Sequence, residues 1–199
     1  MRIAILGGSF DPPHLGHLSV ARQVKSLYRL DEIWLIPCFQ HAFDKKLSPA
    51  HHRLAMTKLL EEDGIRVSDW EVKKPTMSIS IETLREVSTH YGHTFSWIIG
   101  SDQLQDFPKW HEWERIINDF GLIVFPRGIT EETVEQQIIR TLNYLTVPSA
   151  IRFAERNEIT ISHISSTEIR QRLKNGLAIT NMVTPAIEAY IIKHKLYSL

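Results

Sequence analysis

A compact apolar run, Ile3–Leu6, opens the chain, and similar runs return at Glu32–Ile36, Ile65–Ser68, Phe95–Ile99 and Leu122–Phe125. They are short, rich in Ile, Leu, Val and aromatics, and bounded by Gly, Asp, Pro or Ser, as strands buried on both faces are. Between them the apolar spacing changes to three and four, which predicts helices over Leu15–Tyr28, Pro49–Glu62, Ile79–His90 and Lys109–Asn118. Strands alternating with helices of this length are crossover units, and right-handed crossovers build a parallel sheet with helices on both faces. The expectation is a doubly wound, Rossmann-like α/β fold with a helical C-terminal part. That part reads as a polar helix near Glu131–Leu145, a short strand Glu158–Ile161, and helices near Ser165–Lys174 and Thr184–His194. No repeat, low-complexity tract or long linker divides the chain, so one domain over residues 1–199 is expected.

Composition narrows the function classes. With 23 basic and 23 acidic residues the formal net charge is zero, which argues against a partner such as nucleic acid or a membrane surface. A local basic pocket stays open. Cys38 is the only cysteine, so no internal disulfide forms and a reducing compartment is expected. The apolar run at the start is shorter than a secretory signal's, and no stretch approaches the roughly 20 apolar residues of a membrane span. The expected location is cytoplasmic; a homo-oligomer is left open.

The chemistry starts at "GGSFDPPHLGH", residues 7 to 17, directly after the first strand. In an open parallel sheet, ligands bind beyond the carboxyl ends of strands near the switch in strand order. Gly7 and Gly8 stand there, where absent side chains let backbone N–H groups approach a phosphate. Neither a G-x-G-x-x-G fingerprint nor a Gly-Lys-Ser/Thr loop is present. Pro12 and Pro13 lead into a helix read as carrying His14 and His17 on one face, at the end where helix N–H groups and the dipole favour an anion. Capping or core histidines are the bland alternative for either one alone. Zinc is the weaker reading, since it wants three or four ligands and these histidines are spaced by three rather than four. No metal site on protein ligands is expected.

Two further stretches add to this. "ISSTEIRQRL", Ile164 to Leu173, starts a helix with the capping pair Ser165 and Glu168, and Arg170 one turn on offers a planar fork for phosphate oxygens. "IIGSDQLQDFPKWHEW", Ile98 to Trp113, leaves a strand through Gly100-Ser101-Asp102 on the same sheet edge as Gly7-Gly8. Trp110 and Trp113, three apart on a predicted helix, read as core packing or as a stacking platform for a flat ring.

Together, "GGSFDPPHLGH" and "ISSTEIR" resemble the nucleotidyltransferase superfamily that carries the HxGH motif. With "FPKWHEW" and "TPAIEAYI" added, the chain is similar to the nicotinate-nucleotide adenylyltransferases, over residues 1–128 and 158–197. The resemblance implies ATP and nicotinate mononucleotide as partners and Mg²⁺ held mainly through the ATP phosphates. It implies an ATP site of Gly8, Ser9, Phe10 and Gly100, with His14 and His17 on the triphosphate. Ser165, Ser166, Thr167 and Arg170 would close over the phosphates; His14, His17 and Arg170 would carry the catalysis. Asp102 would meet both nucleotides, and Trp110 and Ser80 the mononucleotide. Two departures stand out: Ile79-Ser80 replaces the family's Tyr-Thr, and "PCFQHAFDKKL" replaces Pro-Pro-His-Lys, leaving Lys45 or Lys46 as the phosphate lysine. A nicotinamide or dual-specificity enzyme and a non-catalytic nucleotide-binding regulator are the alternatives.

Overall fold

The computed structural model describes residues 1–40, 46–128 and 130–197. Six strands, β1 (Arg2–Gly8), β2 (Glu32–Pro37), β3 (Ile65–Val67), β4 (Thr94–Gly100), β5 (Leu122–Phe125) and β6 (Ile151–Phe153), form one sheet in the order β3-β2-β1-β4-β5-β6. Every neighbouring pair is parallel. The chain therefore winds outward from β1 in one direction, returns, and winds outward again from β4. The switch in strand order lies between β1 and β4, where Leu6 stands opposite Ile98.

Alternation along each strand divides the core. Ile3, Ile5, Trp34, Ile36, Phe95 and Trp97 face one side and pack with α3 (Ser80–Tyr91) and α5 (Val134–Leu142). Ala4, Ile33, Leu35, Ile98 and Ile123 face the other, against α1 (Leu15–Leu27), α2 (Ala50–Lys58), α6 (Ser166–Lys174) and α7 (Pro185–Lys193). The helices meet them with the spacing that puts side chains on one face, as in Leu18, Ala21 and Val24 of α1 or Ile187 and Ile191 of α7. This is the doubly wound arrangement the pattern predicts. Among the described residues no helix is long and apolar enough to cross a membrane.

Three local expectations are corrected. The last strand is Ile151–Phe153, not Glu158–Ile161. Thr160 instead pairs with a side chain: its N–H donates to Gln23 Oε1 at 2.7 Å and its carbonyl accepts Gln23 Nε2 at 3.0 Å. The helix expected over Lys109–Asn118 is broken into a tight turn at Phe107–Lys109, a short α4 (Trp113–Arg115) and a wide turn, Ile116–Phe120. Pro108 opens the first turn, Trp110 is extended, and Glu112 sits in the left-handed region at φ 47°, held by the Arg85 fork on its carboxylate. α5 is shorter than Glu131–Leu145, because Thr133 caps it by accepting from Gln136 N–H and Asn143 ends it at φ 56°.

Candidate active site

A cleft with two lobes lies beyond the carboxyl ends of β1 and β4, at the switch in strand order, where such sheets bind ligands. The lobes share Gly7, Gly8 and Gln103. A Cβ on Gly7 would drive into the Trp97 indole, so only glycine lets the strand end pass beneath both.

The smaller lobe, about 210 Å³, is polar and takes Ser9, Phe10, His14, His17, Gly100, Arg127 and Ser166 into its wall. Phe10 turns the chain in the left-handed region at φ 47°, a strained conformation for a bulky residue. Its buried ring lies 4.7 Å from that of His17. His14 is not in the helix: it caps α1 in an extended conformation, and His17 is the third helical residue. The expectation of two histidines on one helical face is corrected in its geometry, although the two rings still lie side by side. The rings meet at a tilt, centroids 3.7 Å apart, as His17 Nδ1 accepts the His14 backbone N–H at 3.2 Å. That bond assigns the His17 proton to Nε2 in the neutral ring. His14 Nδ1 is buried without a partner among the described residues. Gly16 is required beside it, since a Cβ there would come within 2.9 Å of His14 Nδ1.

Charge in this lobe is unevenly held. Burial, and then the Arg127 guanidinium, lower the His14 pKa to about 3. Burial first, then His14 and Arg127, hold His17 well below the ordinary imidazole value. Near neutral pH both histidines are thus neutral N–H donors and Arg127 carries the charge. Arg127 Nε lies 4.0 Å from Asp102 Oδ2, at the outer limit of an ion pair.

The larger lobe, about 430 Å³, is walled by Trp97, Trp110, Met77 and Ile79, with Ser80, Asp102, Gln40 and Glu71 as polar groups. Trp110 and Trp113 are joined through Phe107, whose ring lies 5.3 and 5.8 Å from theirs, rather than through a common helix face. Ser80 is the first residue of α3, so the free N–H groups of that helix start at this wall. Glu71 is buried and accepts the Thr83 hydroxyl at 2.7 Å; burial pushes its carboxyl pKa up.

The cytidylyltransferase-like family model matches residues 5–172. The chain belongs to the cytidylyltransferase-like family. Within that family it is 35% identical over 203 residues to a Salinibacter ruber protein named "Probable nicotinate-nucleotide adenylyltransferase", covering 99% of this chain and 98% of that one. It is also similar to solved structures of the Plasmodium falciparum nicotinic acid mononucleotide adenylyltransferase. The complex with NaAD has a TM-score of 0.79 at 25% identity, covering 98% of this chain and 97% of the other. The complex with APC has a TM-score of 0.78 at 26% identity, covering 98% and 96%.

The cytidylyltransferase-like site gathers most, not all, of the residues named from sequence. Gly8, Ser9, Phe10, His14, His17, Gly100 and Ser166 stand in the smaller lobe, and Ser80, Asp102 and Trp110 in the larger. Asp102 lines the larger lobe alone. Ser165, Thr167 and Arg170 are outside both walls. The Ser165 hydroxyl accepts Glu168 N–H at 3.1 Å, Thr167 is exposed, and Arg170 donates to the Asp11 carbonyl at 2.6 Å and to Thr167 Oγ1 at 3.2 Å. Lys46 is exposed and off the cleft; Lys45 lies outside the described residues. Arg127, Thr160 and Ser162 were missed, although all three line the smaller lobe. Arg127 had a usable signal, since it follows β5 in "FPRG", just past a strand's carboxyl end.

Proposed function

We propose that this chain transfers the adenylyl group of ATP to nicotinate mononucleotide, giving the deamido dinucleotide and pyrophosphate in NAD biosynthesis. The observation that carries the reading is the two-lobed cleft at the switch point, one lobe polar and histidine-lined, the other aromatic. The relatives, named for this activity or solved with NaAD and with APC, agree with it.

In the reaction a 5′-phosphate oxygen of the mononucleotide bonds to the α-phosphorus of ATP as the bridge to the β-phosphate breaks. That nucleophile is largely ionised near pH 7, because a phosphate monoester's second pKa is about 6. No general base is required, and alignment with charge stabilisation carries the rate. In the proposed site His14, His17, Arg127 and the N-terminus of α1 face the triphosphate, with Ser166 across the lobe. Asp102 sits where the two lobes approach, and Trp110 stacks on the pyridine ring. Arg170 and Ser165 act from behind the wall, holding the turn and starting α6. Mg²⁺ fits as an ion carried by the phosphates: among the described residues no three His, Cys, Asp or Glu side chains are grouped to hold one. It would screen phosphate charge during transfer. A protein drawing on ATP in this way, with one cysteine and no disulfide, belongs in the cytoplasm.

The pyridine substituent is settled by competition. The free N–H groups at the start of α3 favour a carboxylate in the larger lobe, whereas Gln40 and Glu71 offer acceptors to an amide. With both mononucleotides and ATP in one reaction, nicotinate mononucleotide is expected to be preferred by at least about tenfold in kcat/KM, equivalent to about 1.4 kcal/mol. Equal use, or preference for the amide, would establish a nicotinamide or dual-specificity enzyme. No pyrophosphate release with either would leave a nucleotide-binding regulator.

Trp110→Ala is expected to raise the KM for the mononucleotide and leave that for ATP nearly unchanged. An aromatic pair is worth about 0.5–1.5 kcal/mol beyond its buried area. An equal loss for ATP, read from initial rates with each substrate varied, would place Trp110 in a packing role alone.

A further inference from the structure

The turn that presents Phe10, His14 and His17 is held from far along the chain. The Pro12 carbonyl accepts the Ser166 hydroxyl at 2.9 Å, and Leu15 N–H donates to the Met182 carbonyl at 2.9 Å. Asp11 is the centre of the clasp. It is 3% exposed, and its carbonyl accepts Arg170. Its carboxylate accepts Ser48 N–H on Oδ2 at 3.2 Å and the Tyr197 hydroxyl on Oδ1 at 2.6 Å. Tyr197 stands beyond α7, 186 positions from Asp11, and lines neither lobe of the cleft. It is itself placed by backbone geometry, at φ 63°. Burial and the neighbouring Asp11 push its phenol pKa far up, so it donates throughout the working pH range.

We propose that Tyr197 is a positioning residue of the nucleotide site, fixing the Asp11 carboxylate and through it the turn from Ser9 to His14. The proposal rests on the adenylyltransferase reading for its kinetic consequence and on geometry for the clasp itself. A buried acceptor that loses its donor is left unsatisfied. The Asp11 carboxylate then rotates toward another donor, since among the described residues Oδ1 has no hydrogen bond besides that from Tyr197. Phe10, strained at φ 47°, is the residue that relaxes. Small displacements of positioned groups are costly, a misplacement of about 1 Å reaching roughly 100-fold in rate.

The test compares Tyr197→Phe with Tyr190→Phe. The second variant removes a hydroxyl from the same end of the chain, one that pairs with His52 Nδ1 at 3.0 Å, away from the turn. Tyr197→Phe is expected to lower kcat/KM for ATP about tenfold with the KM for the mononucleotide unchanged, a fraction of the displacement cost above. Hydrogen exchange in the segment 9–17 should speed up. Tyr190→Phe should change neither. Unchanged ATP kinetics and exchange in Tyr197→Phe would overturn the proposal. So would equal effects from both variants, or an equal fall for both substrates with a lowered Tm. If the wild-type protein transfers no adenylyl group, the functional reading fails, and exchange in segment 9–17 still decides whether Tyr197 holds the turn.

Discussion

His17→Ala is expected to lower turnover by about 100- to 1000-fold, the usual worth of one preorganised charge-stabilising donor. Its melting temperature should stay close to that of the wild type. The ring lines the smaller lobe of the cleft, and its loss uncovers one backbone N–H, that of His14. Its contribution is instead directional. Nδ1 is occupied by the His14 N–H, so Nε2–H is the donor that a phosphate oxygen meets. The pH profile supplies a second mark. kcat/KM for ATP reports groups of the free enzyme. His14 is neutral above about pH 3, and His17 is likewise held below the ordinary imidazole value. The acid limb is therefore expected to be the single one of the mononucleotide phosphate, whose second pKa is about 6, with no further histidine limb added to it. Pyrophosphate release measured across pH checks both points. Near-normal turnover in His17→Ala would remove the histidine from the mechanism.

What the sequence made legible follows from how many constraints each stretch obeys. β1, β2, β4 and β5 are buried on both faces along most of their length, so the buried stretch of each is mainly apolar and the run itself is the signal. β6 is a three-residue edge strand with an exposed Arg152, paired on one side only, and leaves almost no pattern. Glu158–Ile161 looked more like a strand than β6 does, yet the Gln23 amide supplies the pairing that a neighbouring strand would. The site divides in the same way. Gly7, Gly8, His14 and His17 sit within one strand-turn-helix stretch, so their spacing carries information about geometry. Arg127 and Thr160 reach the cleft from separate segments that only the assembled fold brings near. Arg170 was read for its charge and fork, whereas the fold turns that fork onto the Asp11 carbonyl.

The larger stability effect is expected at Arg53, where no motif drew notice. Its side chain is 1% exposed and bridges three segments around the cleft. Nε donates to the Ser48 carbonyl, Nη1 to Ser9 and Nη2 to Phe39, each at 2.8 Å. Ser9 belongs to the turn after β1 and Phe39 to the segment after β2, so one planar fork sets how far apart two adjacent strand ends open. Lysine cannot copy this, since a point charge has no fixed fork. Arg53→Met keeps much of the volume and removes all three donors. Buried acceptors left unsatisfied cost about 1–3 kcal/mol each. With partial relaxation the loss is expected to be about 3 kcal/mol, and at about 2–4 °C per kcal/mol for a domain of this size Tm should fall by roughly 6–12 °C. Turnover should fall too, because Ser9 precedes Phe10 and the histidines. Arg53→Lys should recover little of either. Thermal unfolding of the three proteins side by side is the measurement, and a Tm for Arg53→Met within about 2 °C of wild type, below the shift of even one lost acceptor, would show that the carbonyls find other partners.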